Sequence, residues 1–414
     1  MSQENENISE WCLIESNPCI FYDMLQKMGA KSISVEDVYG LEYFDDYIIN
    51  KEEININHIL SIEEYKNEKE KLEKINEKKS EQRFYNDMCI ETKYNKLLKN
   101  NTYIYGIIFL FNIGNDYNND KYIEHNVPEN LFFAKQVIPN ACATQAILSI
   151  VLNKDIELNE EIKNMKNFSK HFDSSMKGLT LSNCNFLRNI HNSYKVPIYI
   201  DKEDFYDDKK NTDAFHFVSY IQYDKSVYLL DGLQKGPVLI KNEDTELNKD
   251  WIDIVRGDIK KEIERICNSK NEKDNRFNIL TVIKDKEYII QNFINIHRII
   301  RQRTNIKLIG LGENIELTDE INEDDFSFSN LPTIEDLPND LSELNRILQK
   351  STLEINYLEN LLNEQIEMKK LWHKELTFKF FNFYPFIMSS LNLMAKHKLL
   401  KESYQKEKLK KSTG

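Results

Sequence analysis

A stretch of 13 residues, ACATQAILSIVLN, constrains the fold of this chain more than any other segment. Its spacing from Ala141 to Asn153 is helical, and apolar residues lie on all sides of the helix that it predicts. Such a helix must be surrounded by other elements, so it predicts the centre of a folded domain. β-prone runs flank it, namely IYGIIFLF (Ile104–Phe111), AFHFVSYIQY (Ala214–Tyr223) and SVYLLDGL (Ser226–Leu233). The chain is therefore expected to form an α+β domain around a central helix.

Length and charge narrow the classes of protein to which the chain can belong. Its 414 residues predict two or three domains, at roughly 150 residues per domain. The 11 glycines and 8 prolines are too few for a collagenous or Pro/Gly-rich disordered chain. A formal net charge of −13 argues against DNA or RNA as the main partner and favours a basic partner surface. No run reaches about 18 apolar residues, and Met1–Glu10 is polar, so neither a membrane span nor a signal peptide is expected.

The cysteines are spaced too far apart to predict a metal or redox motif. No C-x-x-C pair occurs, so neither a zinc site nor a redox site is expected, and no other cofactor is indicated. Thiols in a long chain without a signal peptide are expected to stay reduced, which predicts a cytoplasmic and nuclear location. The six are Cys12, Cys19, Cys89, Cys142, Cys184 and Cys267.

Changes in composition divide the chain. Residues 8–300 are expected to form the α+β domain, interrupted at about 51–100 by a Lys/Glu/Asn-rich insert typical of a solvated helix or mobile loop. Residues 312–340 carry Glu and Asp without any Lys or Arg, which predicts a flexible acidic linker. Residues 341–414 are predicted to form a small helical module. Its first helix has leucines at heptad spacing that could pair with a neighbour or a partner, and its second begins at Pro385.

One cysteine lies where a helix would activate it. Asn140 is a good N-cap for the helix that follows, which would put Cys142 in the first turn. Unpaired backbone N–H groups and the helix dipole stabilise a thiolate there. A buried cysteine in a helix is usually inert, so a nucleophile at this position needs a base.

His216 is the candidate base. It lies on the first strand of the predicted hairpin, and a two-residue turn would make it face Leu233. Asp231 would then be a diagonal neighbour at roughly 7–8 Å on the same face, close enough for its carboxylate to hold one imidazole nitrogen. Gln136, just ahead of the central helix, could donate to an oxyanion together with the backbone N–H of the nucleophile. The four residues would form a Cys–His–Asp arrangement with an oxyanion donor.

Several segments resemble motifs of a known family. FFAKQVIPNACATQAI resembles the nucleophile motif of the ubiquitin C-terminal hydrolases, a family of papain-like cysteine peptidases. DAFHFVSYI and YLLDGLQKGPV resemble its His and Asp motifs in the same order, and WCLIESNP, MKGLTLSN, DWIDIVRG and NRFNILTVI look like further segments. The likeness covers about Trp11–Lys284 apart from the insert. FNFYPFIMSSLNLMAKHKLL resembles the C-terminal extension of the proteasome-associated subfamily.

The resemblance implies a papain-like α/β/α sandwich with a central antiparallel sheet, plus a small C-terminal helical module. It also implies a role for each of the four candidate residues. Gln136 would be the oxyanion donor and Cys142 the nucleophile. His216 would be the general base and acid, and Asp231 the carboxylate that orients it. A crossover loop over the cleft would correspond to Tyr194–Thr212.

The implied substrate is the bond that follows the C-terminal glycine of ubiquitin, or of a ubiquitin-like modifier such as NEDD8. Leu13, Ile14 and Asn17 are expected to help hold the globular part of ubiquitin, although core packing would explain each equally well. The extension implies docking to a proteasomal ubiquitin-receptor subunit, and neither nucleic acid nor a membrane is an expected partner. Two other classes stay open: a papain-like endopeptidase with an open cleft, and a non-catalytic ubiquitin-binding scaffold.

Overall fold

A six-stranded antiparallel sheet forms the centre of the fold. The computed structural model describes residues 11–46, 90–91, 93–99, 101–113, 127–196, 214–242, 250–269, 277–315, 331–401 and 404–405. The strands are β1 (Ile33–Asp37), β2 (Ile104–Ile113), β3 (Ala214–Tyr223), β4 (Ser226–Leu230), β5 (Val238–Asn242) and β6 (Phe277–Lys284). They lie in the order β1-β6-β2-β3-β4-β5, and every neighbouring pair is antiparallel.

The hairpin of β3 and β4 has the register that its turn predicts. Tyr223 pairs with Ser226 across two turn residues, and Ser219 pairs with Leu230 at the other end. The predicted register is therefore confirmed. Because β4 ends at Leu230, Asp231 is the first residue beyond the paired strands.

Five helices cover one face of the sheet. Their bounds are α1 (Pro18–Lys27), α2 (Cys142–Val151), α3 (Glu160–Phe168), α4 (Ser174–Asn183) and α5 (Asn185–Asn192). In α2 every residue after Cys142 is buried, as expected for a helix that is apolar on all sides. Its residues share one core with α1 and with the inward side chains of β1 and β3. The element predicted to be central is the one that the other helices surround.

On the opposite face, the described part of the chain places the long helix α6 (Trp251–Ser269). Trp251, Val255 and Ile259 are buried against the sheet in a second core that includes Phe109 of β2 and Val218 of β3. Helices on both faces of one antiparallel sheet make the predicted α/β/α sandwich, which is confirmed.

Three more helices follow the sheet, namely α7 (Lys286–Gly310), α8 (Leu341–Phe380) and α9 (Tyr384–Lys396). Leu358 of α8 is completely buried in a cluster with Ile290 and Phe293 of α7. Leu344 of α8 closes a smaller cluster with Leu308. The heptad leucines therefore pair with a neighbouring helix of the same chain, and the region predicted to be a separate module shares a core with what precedes the linker. Residues 316–330 of that linker lie outside the described residues.

The end of the charged insert also belongs to this core. Residues 51–89 lie outside the described part, but residues 93–99 are helical and Tyr94 is fully buried. The Tyr94 hydroxyl lies 2.5 Å from His297 Nε2 and donates to Glu354 Oε2 at 2.9 Å. Lys93 forms an ion pair with Glu354 at 3.0 Å. Burial alone would raise the pKa of Glu354, yet the charges of His297 and Lys93 hold that pKa well below its usual range.

The described residues contain no helix that is both long and apolar enough to cross a membrane. Within the same ranges, no three His, Cys, Asp or Glu side chains come together as a metal ion would require. The cysteines that the structure describes are all free thiols, namely Cys12, Cys19, Cys142, Cys184 and Cys267.

Candidate active site

The candidate nucleophile opens the central helix. Cys142 is the first residue of α2, it is half-buried, and its N-cap is Ala141, without a side-chain hydrogen bond to the first turn. Asn140 has a φ of 66° and donates from Nδ2 to the Trp11 carbonyl oxygen at 3.0 Å. The prediction that Asn140 caps the helix is therefore wrong, because its amide is used to hold the N-terminal segment. The first-turn N–H groups still favour negative charge on the Cys142 sulfur.

The candidate base and its carboxylate form a buried pair. His216 Nε2 lies 2.6 Å from Asp231 Oδ1, and both side chains are almost completely buried. His216 lies on β3, where it pairs with Phe111 of β2, and Asp231 lies just past the end of β4. The hairpin register thus brings together two residues that are 15 apart in sequence.

Two further donors hold the Asp231 carboxylate. The backbone N–H of Leu233 donates to Oδ1 at 3.0 Å, and Gln234 Nε2 donates to Oδ2 at 3.2 Å. Gln234 is itself fully buried. Sequence reasoning missed Gln234, although it belongs to the YLLDGLQ segment in which Asp231 was recognised. Its role depends on the turn at residues 232–233, which folds the chain back over the carboxylate.

The surroundings of His216 favour its protonated form. Burial would lower the pKa of His216, but its hydrogen bonds to Asp231 and Cys142, together with their charges, raise it from 6.5 to about 9. The imidazolium is therefore the favoured state at neutral pH. A cation in contact with the Cys142 side chain stabilises the thiolate, which is the reactive form of cysteine.

The candidate oxyanion donor lies on the segment that leads into α2. The backbone N–H of Gln136 donates to the Gly232 carbonyl oxygen at 2.8 Å, which ties this segment to the loop that carries Asp231. Gln136 Nε2 donates to the Ile138 carbonyl oxygen at 3.1 Å. A primary amide has two N–H groups, so one remains for an oxyanion at Cys142.

A cavity of about 530 Å³ opens beside the candidate nucleophile. Its walls are mainly apolar and include Leu13 and Ile14. The full lining is Leu13, Ile14, Glu15, Ser16, Leu110, Asn140, Cys142, Ala143, Phe215, Phe217, Phe277 and Asn278. Leu13 is 76% exposed and free to contact a substrate, whereas Ile14 is buried in the core. Asn17 is not part of the lining. Its Oδ1 accepts from the backbone N–H of Cys19 at 2.8 Å, so its side chain caps α1.

A buried histidine ties the N-terminal segment to the central helix. His191 Nε2 faces the Cys12 carbonyl oxygen at 2.7 Å, and Nδ1 faces the Thr144 hydroxyl at 2.7 Å. A carbonyl can only accept, so Nε2 carries the hydrogen and Nδ1 accepts from Thr144. Burial lowers the pKa of His191 to about 4, which keeps it neutral at physiological pH. The segment that lines the cavity is thereby fixed to α2, half a turn beyond Cys142.

Most of the predicted crossover loop, Tyr194–Thr212, lies outside the described residues, which end at Val196 and resume at Ala214. Tyr194, its first residue, is buried. The Tyr194 hydroxyl donates to Asp23 Oδ2 at 2.7 Å, and its ring centroid lies 5.6 Å from that of Phe380 of α8. The start of this loop is therefore anchored to α1 and to α8.

Comparison with known proteins finds a matching family model and similar proteins. The family described as "Ubiquitin carboxyl-terminal hydrolase, family 1" matches residues 86–264. Ubiquitin carboxyl-terminal hydrolase UCH54 of Plasmodium falciparum is 65% identical over an alignment of 463 residues that covers 100% of both chains. Ubiquitin carboxyl-terminal hydrolase isozyme L5 of Dictyostelium discoideum is 30% identical, over 98% of this chain and 96% of the relative. The crystal structure of Trichinella spiralis UCH37 bound to ubiquitin vinyl methyl ester covers 87% of this chain and 99% of its own, with 22% identity and a TM-score of 0.48.

Proposed function

Because this chain belongs to the ubiquitin carboxyl-terminal hydrolase family and is a thiol-dependent deubiquitinase, we propose how its own residues carry out the reaction. The substrate is the bond that follows the C-terminal glycine of ubiquitin. The observation that carries the proposal is the buried 2.6 Å contact between His216 and Asp231, with the imidazole turned toward Cys142. The four acting residues are Gln136, Cys142, His216 and Asp231.

The first half of the reaction is acylation. The Cys142 thiolate attacks the glycine carbonyl carbon, and the negative charge that develops on the carbonyl oxygen is received by the Gln136 amide and the Cys142 backbone N–H. His216, held as the imidazolium, gives its proton to the leaving amine as the tetrahedral intermediate collapses. Asp231 stabilises the imidazolium and orients the ring; it does not take up the proton.

The second half is hydrolysis of the thioester. Neutral His216 accepts a proton from a water molecule as that water attacks the acyl carbon, and the Cys142 thiolate leaves. The same oxyanion donors act again. The imidazolium–thiolate pair is then restored, and ubiquitin is released with a free C-terminal carboxylate.

A ubiquitin molecule with a C-terminal electrophile tests the assignment. The wild-type chain should form one covalent adduct, and peptide mass spectrometry should locate the bond at Cys142. Cys142→Ala should form none while keeping the wild-type unfolding midpoint. Cys184→Ala is the matched control and should react normally, because Cys184 is absent from the cavity lining. An adduct at Cys12, Cys19 or Cys184 in the wild type would contradict the proposal.

Two assays on the same purified protein distinguish the proposed activity from its two rivals. A papain-like endopeptidase would cleave unfolded casein, and a non-catalytic scaffold would bind ubiquitin without turning over a ubiquitin C-terminal amide. We expect turnover of the amide and no cleavage of casein. Parallel assays with NEDD8 amide would decide whether that modifier is also accepted.

The C-terminal helix supports a further part of the proposal, which is docking to a proteasomal ubiquitin-receptor subunit. No residue of α9 is buried, and Phe386 and Leu393 are 69% and 59% exposed. Apolar side chains exposed along one helix are typical of a surface that a partner covers. A cytoplasmic and nuclear location belongs to this proposal and can be checked by imaging a tagged chain.

Truncation tests the docking, provided that it spares α8. Removal of everything after Leu311 would expose Ile290 and Phe293, since Leu358 covers them. A chain that ends at Phe380 keeps this core. It should cleave a small ubiquitin amide at the wild-type rate but fail to recover proteasomes from a lysate. Phe386→Asp should behave like the truncation, whereas Lys396→Asp, on the same helix, should bind normally. Equal recovery by truncated and full-length chains would mean that the docking surface lies elsewhere.

A further inference from the structure

Gln145 contacts the segment that carries the oxyanion donor. It lies three residues after Cys142 on α2 and is 8% exposed. Its Nε2 donates to the carbonyl oxygen of Ala134, which is two residues before Gln136. Because a carbonyl oxygen can only accept, this contact fixes which end of the amide faces the segment. A side chain of the nucleophile helix therefore anchors the backbone that leads to Gln136.

Gln145 also touches the loop that carries the orienting carboxylate. A Cβ atom built on Gly232, next to Asp231, would lie 2.6 Å from Gln145 Nε2 and 2.9 Å from Gln136 Cβ. Real side chains do not approach so closely, so only glycine leaves room for the two glutamines here. The Gly232 carbonyl oxygen in turn accepts from Gln136 N. One buried amide of the nucleophile helix is thus in contact with the segment that carries Gln136 and with the loop that carries Asp231.

We propose that Gln145 is a positioning residue for acyl transfer, which sets the position of the Gln136 amide relative to the Cys142 sulfur; the inference rests on the proposed roles of those two residues. An oxyanion donor acts over only about 2.7–3.1 Å, so small displacements of the segment matter. Without the Gln145 amide, the buried carbonyl of Ala134 loses its donor, and the segment must shift to satisfy it. Such a shift carries Gln136 out of range.

The test compares two reactions of the full chain. Hydrolysis of a ubiquitin C-terminal amide builds an oxyanion. Alkylation by ubiquitin with a C-terminal alkyl halide does not, because the Cys142 sulfur forms a bond to carbon as halide leaves. Gln145→Met should lower kcat for hydrolysis by about 10- to 100-fold, less than loss of a whole donor. It should leave KM and the alkylation rate within twofold. Gln26→Met, an exposed glutamine on α1, is the control and should change neither.

A double-mutant cycle and an isosteric variant sharpen the result. In a Gln136→Ala background, Gln145→Met should cost less than twofold, because the residue through which it acts is already gone. Gln145→Glu keeps the shape, and only its protonated carboxyl can donate to Ala134. Its kcat relative to wild type should therefore rise as the pH is lowered.

Several results would overturn the inference. They are unchanged hydrolysis by Gln145→Met, equal losses in hydrolysis and alkylation, additive losses in the Gln136→Ala background, or failure of both Gln145 variants to fold. Equal losses would mean that Gln145 only supports the nucleophile helix. A wild-type chain that is not alkylated at Cys142 would instead refute the proposed function, so the two failures are distinguishable.

Discussion

Replacement of Asp231 by asparagine removes one charge and turns one acceptor into a donor. Oδ1 accepts from His216 and from the backbone N–H of Leu233, whereas Oδ2 accepts from the side chain of Gln234. A backbone N–H cannot turn, but the Gln234 amide can rotate to present its oxygen. The asparagine should therefore keep its oxygen toward His216 and its NH₂ toward Gln234. The tautomer of the His216 imidazole is then preserved, and the substitution removes only the negative charge of the Asp231 carboxylate.

The pKa of His216 gives the size of the effect. Burial would lower this pKa, and the contacts with Asp231 and Cys142 raise it from 6.5 to about 9. A rise of that size corresponds to about 3 kcal/mol in favour of the imidazolium. Without the carboxylate, burial opposes only the contribution of Cys142, and the pKa of His216 should fall. About 3 kcal/mol lost from the imidazolium in the transition state corresponds to a fall in kcat of about 10², which stays below the roughly 10⁴ expected where the wrong tautomer is also stabilised.

Two measurements check this reasoning. Steady-state hydrolysis of a ubiquitin C-terminal amide gives kcat, and an NMR titration of the imidazole, assigned with His216→Gln, gives the pKa. Asp258→Asn is the control, since Asp258 lies on α6, where its carboxylate accepts from the Tyr220 hydroxyl at 2.9 Å and is not a partner of His216. It should leave both quantities unchanged. If Asp231→Asn kept kcat within threefold and a titration midpoint near pH 9, the carboxylate would not be what holds the proton.

Three further predictions concern the oxyanion donor and the stability of the fold. Gln136→Ala should lower kcat by about 10² to 10³ with KM unchanged, and steady-state kinetics showing a raised KM at constant kcat would contradict its role. Glu354→Ala should lower the free energy of unfolding in urea by about 3 kcal/mol, because it leaves buried partners uncompensated. Glu367→Ala, which breaks an exposed ion pair with Lys370, should cost less than about 1 kcal/mol; similar losses would refute the distinction. The pKa of His191 is lowered to about 4, so the unfolded chain binds the proton more readily. Stability should then fall by about 3 kcal/mol as the pH drops from 6.5 to 4, and His191→Gln should flatten this dependence in denaturant titrations at several pH values.

Some features of this protein follow from its sequence because their causes are local. All-round apolar spacing after Cys142 predicts a helix that must be buried, and α2 is one. The hairpin register follows from its two-residue turn, and this register brings His216 and Asp231 together. The motif resemblance led to the same residues, because a motif records which side chains meet even when their contact is distant in sequence.

Other features were decided by contacts that no local pattern encodes. Asparagine commonly caps helices, but the Asn140 side-chain amide donates to the nearby Trp11 carbonyl oxygen, and Ala141 occupies the N-cap position of α2. The heptad leucines of α8 were compatible with a partner chain, and only the packing of Leu358 on α7 shows that the neighbour is internal. Gln145 looked like one more residue of a buried helix. Its contact with Ala134 exists because the fold returns the preceding segment to the side of α2, and tertiary structure alone creates that approach.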